Sequence, residues 1–190
     1  DLGLTVIGYG SNFNVIRAEC ENISNLIKIL KKKFSPKILT LQKLEKKLLN
    51  FKKLKKPIII TDPSDNVGGG ALGNNTEILE ILLKYKLPGT IVIWAPYLRE
   101  KNYEGDLFND YISSNYTRND NKSTKINGII IFKATNFSYE RDGLYMTGQI
   151  VKMGNVLIIK TKFNLKVILT ENRVMPFDDK HIKVFGIDPK

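Results

Sequence analysis

The chain reads as an α/β (α+β) protein: a βαβ layer with parallel strands followed by a β-rich hairpin region. Three observations predict this class. The β-branched run Ile58-Ile59-Ile60 and the apolar run Thr90 to Trp94 bracket a helical pattern, the order expected of a strand–helix–strand unit. Between the first run and the helix lies Asp62-Pro63-Ser64-Asp65-Asn66-Val67-Gly68-Gly69-Gly70, a turn-rich, glycine-rich stretch. Beyond Gly128, short apolar runs separated by Gly and Asn replace the helical spacing, as expected of strands joined by turns.

In chain order, Leu4 to Ile7 reads as a strand ending in the turn-rich Gly8 to Asn12. Ile23, Leu26, Ile27, Leu30 and Phe34 then recur at helical spacing and predict an amphipathic helix, which Ser35-Pro36 breaks. Thr40 is placed to cap a second helix carrying Leu41, Leu44, Leu48 and Phe51. The Ile58 to Ile60 strand suits burial on both faces, with Asp62 and Asp65 at its carboxyl end. Asn74 is expected to cap the next helix with Glu77 reaching back, and Ile78 to Leu83 supply its apolar face. Leu87-Pro88-Gly89 makes the turn into Thr90 to Trp94, and the two strands are expected to pair in parallel through a right-handed crossover. Pro96 to Lys125 is polar and reads as a long loop. Strands are expected at Gly128 to Ser138, Leu144 to Met153, Val156 to Thr161 and Leu165 to Thr170, the last two forming a hairpin near Phe163-Asn164. Asp178 is placed to cap a short helix that stops at Gly186, with Ile187 making the hydrophobic contact of a Schellman ending.

With 190 residues and 42% hydrophobic content the chain supports one good core, or one domain plus a piece of another. No apolar run approaches the ~20 residues that span a bilayer. One cysteine, Cys20, excludes an internal disulfide and fits a reducing cytoplasm. The net charge of +11 gathers between Lys28 and Lys56, where Glu45 is the only acid. Clustered lysines displace counterions from nucleic acid, but arginine is scarce and no aromatic ladder interleaves them, so a solvated face is the preferred reading over a nucleic-acid site.

Gly68, Gly70 and Gly73 match the spacing of a dinucleotide fingerprint, yet DPSDNV separates them from the strand and no acid follows the next strand to hold a ribose. Gly68 and Gly73 also have P-loop spacing, with Asn74 and Asn75 where Lys and Ser/Thr are needed. A nucleotide-binding α/β protein thus remains only an alternative. Asp62 and Asp65 have two open readings: general bases, metal ligands or orienting groups, or carboxylates that close Asx-turns and, with Asn66, hold the loop in shape. A hydrolytic zinc site needs three protein ligands, and one histidine, His181, expected to face solvent on a charged helix, does not supply them.

Two separated motifs carry a resemblance. TDPSDNVGGGALGNNTEILEILL, Thr61 to Leu83, resembles the aspartate- and glycine-rich signature of the microcystinase-C (MlrC)-like zinc metallopeptidase family, and Asn74 stands where that family usually carries Asp. The β-rich block from Tyr145, with Arg173, Pro176, Phe177 and Asp178, and then Gly186-Ile187-Asp188-Pro189, resembles the family's carboxyl-terminal end in the same order. The resemblance implies that 57–190 is the carboxyl-terminal domain and 1–56 the tail of the preceding, metal-carrying domain. It implies a chain truncated at both ends whose catalytic residues and zinc ligands lie upstream, and the opening Asp1 is expected to follow that missing amino-terminal domain. The implied activity of the whole is hydrolysis of small, linear peptides by zinc-dependent chemistry. The implied role of Asp62, Asp65, Asn66, Gly68, Gly69 and Gly70 is to line or brace the active-site cleft, and this chain alone is expected to be inactive.

Overall fold

The computed structural model describes residues 4–34, 37–50, 57–99, 107–113 and 123–189. Contacts divide the chain into two compact units, Asp1–Leu44 and Glu45–Lys190. The first holds the long helix α1 (Phe13–Phe34), two of whose first-turn amides are taken by Asn12: its side chain accepts from Val15 N–H at 3.3 Å and its carbonyl from Ile16 N–H at 3.1 Å. Leu4 to Ile7 forms no strand, since an isolated extended segment gains nothing without a ladder to join. Helix α2 (Leu41–Leu49) starts where Thr40 predicts: its hydroxyl accepts from Lys43 N–H at 3.4 Å. Phe51, the break at Ser35-Pro36, and Lys52, Lys53, Lys55 and Lys56 of the lysine stretch lie outside the described residues.

The second unit is built on one mixed sheet, consistent with the α+β class. Its strands are β1 (Gly89–Trp94), β2 (Leu107–Ser113), β3 (Ser123–Glu140), β4 (Ile150–Lys160) and β5 (Leu165–Thr170), in the order β1-β5-β4-β3-β2. Only β1 and β5 run parallel, from Gly89 opposite Leu165 to Trp94 opposite Thr170, and the other pairs are antiparallel. The core follows β4 and β5, where Val156 to Ile159 and Val167 to Leu169 are buried; Leu79 and Leu82 of α3 (Glu77–Lys84) are buried too. A second cluster joins Tyr139, Val151, Met153, Ile158, Ile168 and Ile187; Phe132, Phe137 and Phe185 pack against it and meet one another edge to face or tilted.

Several expectations are corrected. Ile58 to Ile60 is not a strand, and Ile59 is 88% exposed, because β1 takes β5 and not this run as its parallel partner. A β-branched run realises its strand preference only where a ladder receives it. The expected polar loop after Pro96 contains β2, whose alternation of buried Phe108 and Ile112 with exposed Leu107 and Tyr111 is that of a half-buried edge strand. The two strands expected at Leu144 to Met153 and Val156 to Thr161 are one, β4, bent where Gly154 (φ +70°) faces Phe137 and the register shifts. Leu144 to Gln149 is instead the tip of the β3–β4 connection, closed by Gly148 N–H to Arg141 O at 2.9 Å and Arg141 N–H to Gln149 O at 3.0 Å.

The β4–β5 hairpin turns where expected, with Asn164 at φ +65°. Helix α4 (Lys180–Lys183) ends as a Schellman motif: Gly186 (φ +68°) N–H bonds Lys183 O at 2.9 Å, Ile187 N–H reaches Ile182 O at 3.4 Å, and Ile187 is buried. Asp178 gives that helix no side-chain cap. Asn74 does not cap α3: it is buried, the N-cap position is Thr76 with no side-chain cap bond, and Asn75, one residue earlier, accepts the Glu77 N–H at 3.1 Å on its side-chain oxygen.

Candidate functional site

The glycine loop sits at the carboxyl ends of the parallel pair β1 and β5, the end of a parallel layer where strand termini leave room for ligands. Trp94, the last residue of β1, donates its backbone N–H to Gly73 O at 2.7 Å and its indole N–H to Glu171 O, just past β5, at 2.9 Å. The loop therefore hangs from both strands. Glu171 in turn accepts the Asn155 N–H at 3.0 Å and braces the Gly154 bend.

Inside the loop the acidic and amide side chains are consumed by backbone. Asp65 accepts Gly73 N–H on one oxygen at 2.8 Å and Asn75 N–H on the other at 2.7 Å. Asp62 accepts Ser64 N–H at 3.0 Å and Ser64 O–H at 2.5 Å, and its second oxygen takes the Asn75 amide at 3.0 Å. Partial burial works to raise the Asp62 pKa, but the donors from Ser64 and Asn75 together outweigh it and hold the group below its ordinary value. Asn66 accepts Gly68 N–H at 3.0 Å, and its carbonyl takes Gly69 N–H at 2.9 Å and Ala71 N–H at 3.1 Å. Gly70, at φ +94°, donates to Val67 O at 3.1 Å. The loop presents no free amide from Gly68 to Ala71, so it is a braced structure rather than an anion cradle.

The second motif meets the first here. Arg173 donates to Ala71 O at 3.4 Å, and Met175 Sδ packs where a Cβ on Gly68 would stand. On its other side the segment Arg173–Asp178 meets the end of β3. Arg141 donates to Met175 O at 3.1 Å and lies over the Phe177 ring at 4.4 Å, and Tyr145 stacks on Phe177 at 4.9 Å. Arg141 is 4% exposed. Nothing in the sequence singled it out, because an arginine after a β-strand has no distinctive spacing.

His181 is a correction. It is 0% exposed, packed by the cluster around Tyr139, with Nδ1 2.9 Å from the Tyr139 hydroxyl. Burial, joined by the charge of Arg141 and opposed by Asp178, brings its pKa down to about 4, and burial lifts Tyr139 to about 12. The expectation of a solvent-facing histidine failed because α4 docks its histidine side inward, led by Ile182, Val184 and Phe185. Buried Nε2 of His181, Nε and Nη1 of Arg141 and both oxygens of Asp178 have no hydrogen-bond partner among the described residues.

Among the described residues no group of three His, Cys, Asp or Glu side chains is gathered to hold a metal ion, and His181 lies closed in the core with Nδ1 engaged. The described residues thus do not fit a zinc site. No helix among them is long and apolar enough to cross a membrane.

The fold and loop define an α+β domain with a glycine-rich loop braced at the carboxyl end of a parallel strand pair. No family model matches the chain. It is similar to microcystinase C from Sphingomonas sp., 25% identical over 138 residues, which is 70% of this chain and 26% of that protein. In structure it is similar to a candidate metallopeptidase from Mesorhizobium sp. BNC1, with a TM-score of 0.75 and 16% identity over 92% of this chain and 35% of the other. These likenesses support the resemblance to the MlrC-like family that the two motifs carry, and the chain spans only about a quarter to a third of the length of these relatives.

Proposed function

We propose that this chain is the carboxyl-terminal domain, with the tail of the preceding domain, of a zinc-dependent peptidase or amidohydrolase acting on small, linear peptides. In this reading residues 1–56 belong to the preceding domain and 57–190 to the carboxyl-terminal one, zinc and its ligands are supplied outside this chain, and the whole works in the cytoplasm. The observation that supports it best is the meeting of both motifs at one end of the sheet: Arg173 bonds Ala71, and Met175 packs on Gly68. The Arg173–Ala71 pair is 102 residues apart in the chain, so local folding alone does not bring it together. The loop's role is to brace the cleft wall, since the carboxylates of Asp62 and Asp65 are spent on its own backbone and Asn75.

The test joins whatever coding sequence precedes Asp1 to this chain and assays linear peptides with and without a zinc chelator. The expected result is hydrolysis that stops on chelation and returns with zinc, while the 190-residue chain alone retains well under one equivalent of zinc after dialysis. Stoichiometric zinc on the chain alone, or a joined protein that cleaves no peptide, overturns the reading.

A further inference from the structure

We propose that Arg141 is a positioning residue that holds the glycine loop to the β3–β4 hairpin, so that the shape of the loop depends on a side chain outside both motifs. This rests on the proposed function only for its purpose, not for its geometry. Arg141 is almost fully buried, and among the described residues it forms no ion pair, although Asp178 is near enough to act electrostatically on the same Tyr139 and His181. A buried guanidinium unpaired with a carboxylate is a costly arrangement that stability alone does not favour. What Arg141 does contact is the Met175 carbonyl at 3.1 Å and the face of Phe177 at 4.4 Å. Those two contacts clamp the segment whose other side carries Met175 against Gly68 and Arg173 against Ala71.

The path from Arg141 to the loop is therefore short and continuous: guanidinium, Met175 main chain, Met175 side chain, Gly68. It is also separable from the sheet. The β4–β5 ladder, from Val156 opposite Thr170 to Lys160 opposite Lys166, does not involve Met175 or Phe177. Loss of the clamp should loosen the loop before it loosens the core.

Hydrogen exchange by NMR on the 190-residue chain reads this without any substrate, so an inactive protein leaves the test intact and a failed test leaves the peptidase reading intact. In Arg141→Met the amides of Gly69, Ala71, Gly73 and Asn75 are expected to exchange at least about tenfold faster, while those of Ile158 and Ile168 stay unchanged. Fluorescence of Trp94, the sole tryptophan, should shift in parallel, because Trp94 bonds Gly73 and Glu171. Arg141→Lys, which keeps a donor and a cation over Phe177, should restore most of the protection. If Arg141→Met does not fold, Phe177→Ala decides, since Phe177 is 41% exposed and its loss removes the platform and the Tyr145 contact but no core side chain. Unchanged loop exchange, or an equal rise at loop and core amides, overturns the proposal.

Discussion

The carboxylate of Asp65 and the backbone N–H of Asn75, ten residues apart, meet at 2.7 Å, while the other carboxylate oxygen takes Gly73 N–H at 2.8 Å. One side chain thus ties the glycine loop to the approach to α3, because the Asn75 side chain also accepts the N–H of Glu77, the first residue of that helix.

Replacing Asp65 by alanine removes two charge-assisted acceptors at once. Each such bond contributes about 1.5–3 kcal/mol when buried, so at this half-buried position a total loss of about 2 kcal/mol is expected. Asp65→Asn, which keeps a carbonyl oxygen for one amide, should lose about half of that. Urea denaturation of both variants measures it, and an unchanged midpoint for Asp65→Ala shows that the carboxylate braces nothing.

The three clustered glycines are not equivalent. Gly70 holds φ +94° with open space around it, so Gly70→Ala should cost about 1 kcal/mol through backbone conformation alone. Gly73 combines φ +77° with Val67 Cγ2 packed where a Cβ would stand, so Gly73→Ala should cost about 2–3 kcal/mol. At Gly69 the nearest atom to a Cβ is Asn66 Nδ2 at 3.6 Å, and φ is not positive, so Gly69→Ala should be near neutral in stability. The ranking is checked by thermal melts. A Gly69→Ala loss as large as that of Gly73→Ala contradicts the loop geometry.

His181 makes stability depend on pH. Its pKa falls from 6.5 to about 4 on folding, so between these values the unfolded state binds the extra proton and acidification favours unfolding. The contribution of the neutral, buried ring is complete above about pH 6.5 and fades toward pH 4, by up to about 3 kcal/mol. Comparing urea midpoints of wild type and His181→Phe at pH 7 and pH 4.5 isolates this effect. Wild type should lose more stability than the variant on acidification, and parallel losses would show that the histidine does not titrate with folding.

The lysines of α1 and α2 are expected to be a solvated face. Fluorescence anisotropy with a single-stranded oligonucleotide should show only weak retention that vanishes by physiological salt. Submicromolar, sequence-preferring binding at that salt would make the chain a nucleic-acid module.

Elements whose formation depends on neighbours in sequence were legible before the structure. Helical spacing marked α1, α2 and α3, Asn164 marked the β4–β5 turn, and Gly186 with Ile187 marked the end of α4, since each rests on contacts within a few residues. What failed depended on a distant partner. Ile58 to Ile60 has the composition of a strand and no ladder to join, whereas Leu107 to Ser113, in a polar stretch, is a strand because Ser123 to Ile129 pairs with it. The bend that fuses two expected strands into β4 comes from Gly154 meeting Phe137 on β3.

The candidate site divides in the same way. Its aspartates, Asn66 and glycines were visible as a loop; Asp62 and Asn66 accept the amide two residues on, whereas Asp65 accepts the amides of Gly73 and Asn75, partners that no local spacing marks. The roles of Arg141, Met175 and Trp94 and the burial of His181 were decided only by the tertiary structure. Each follows from side chains meeting across sequence separations of tens of residues, where local propensity carries no information and the packing of α4 and β3 against one sheet chooses which polar groups are enclosed.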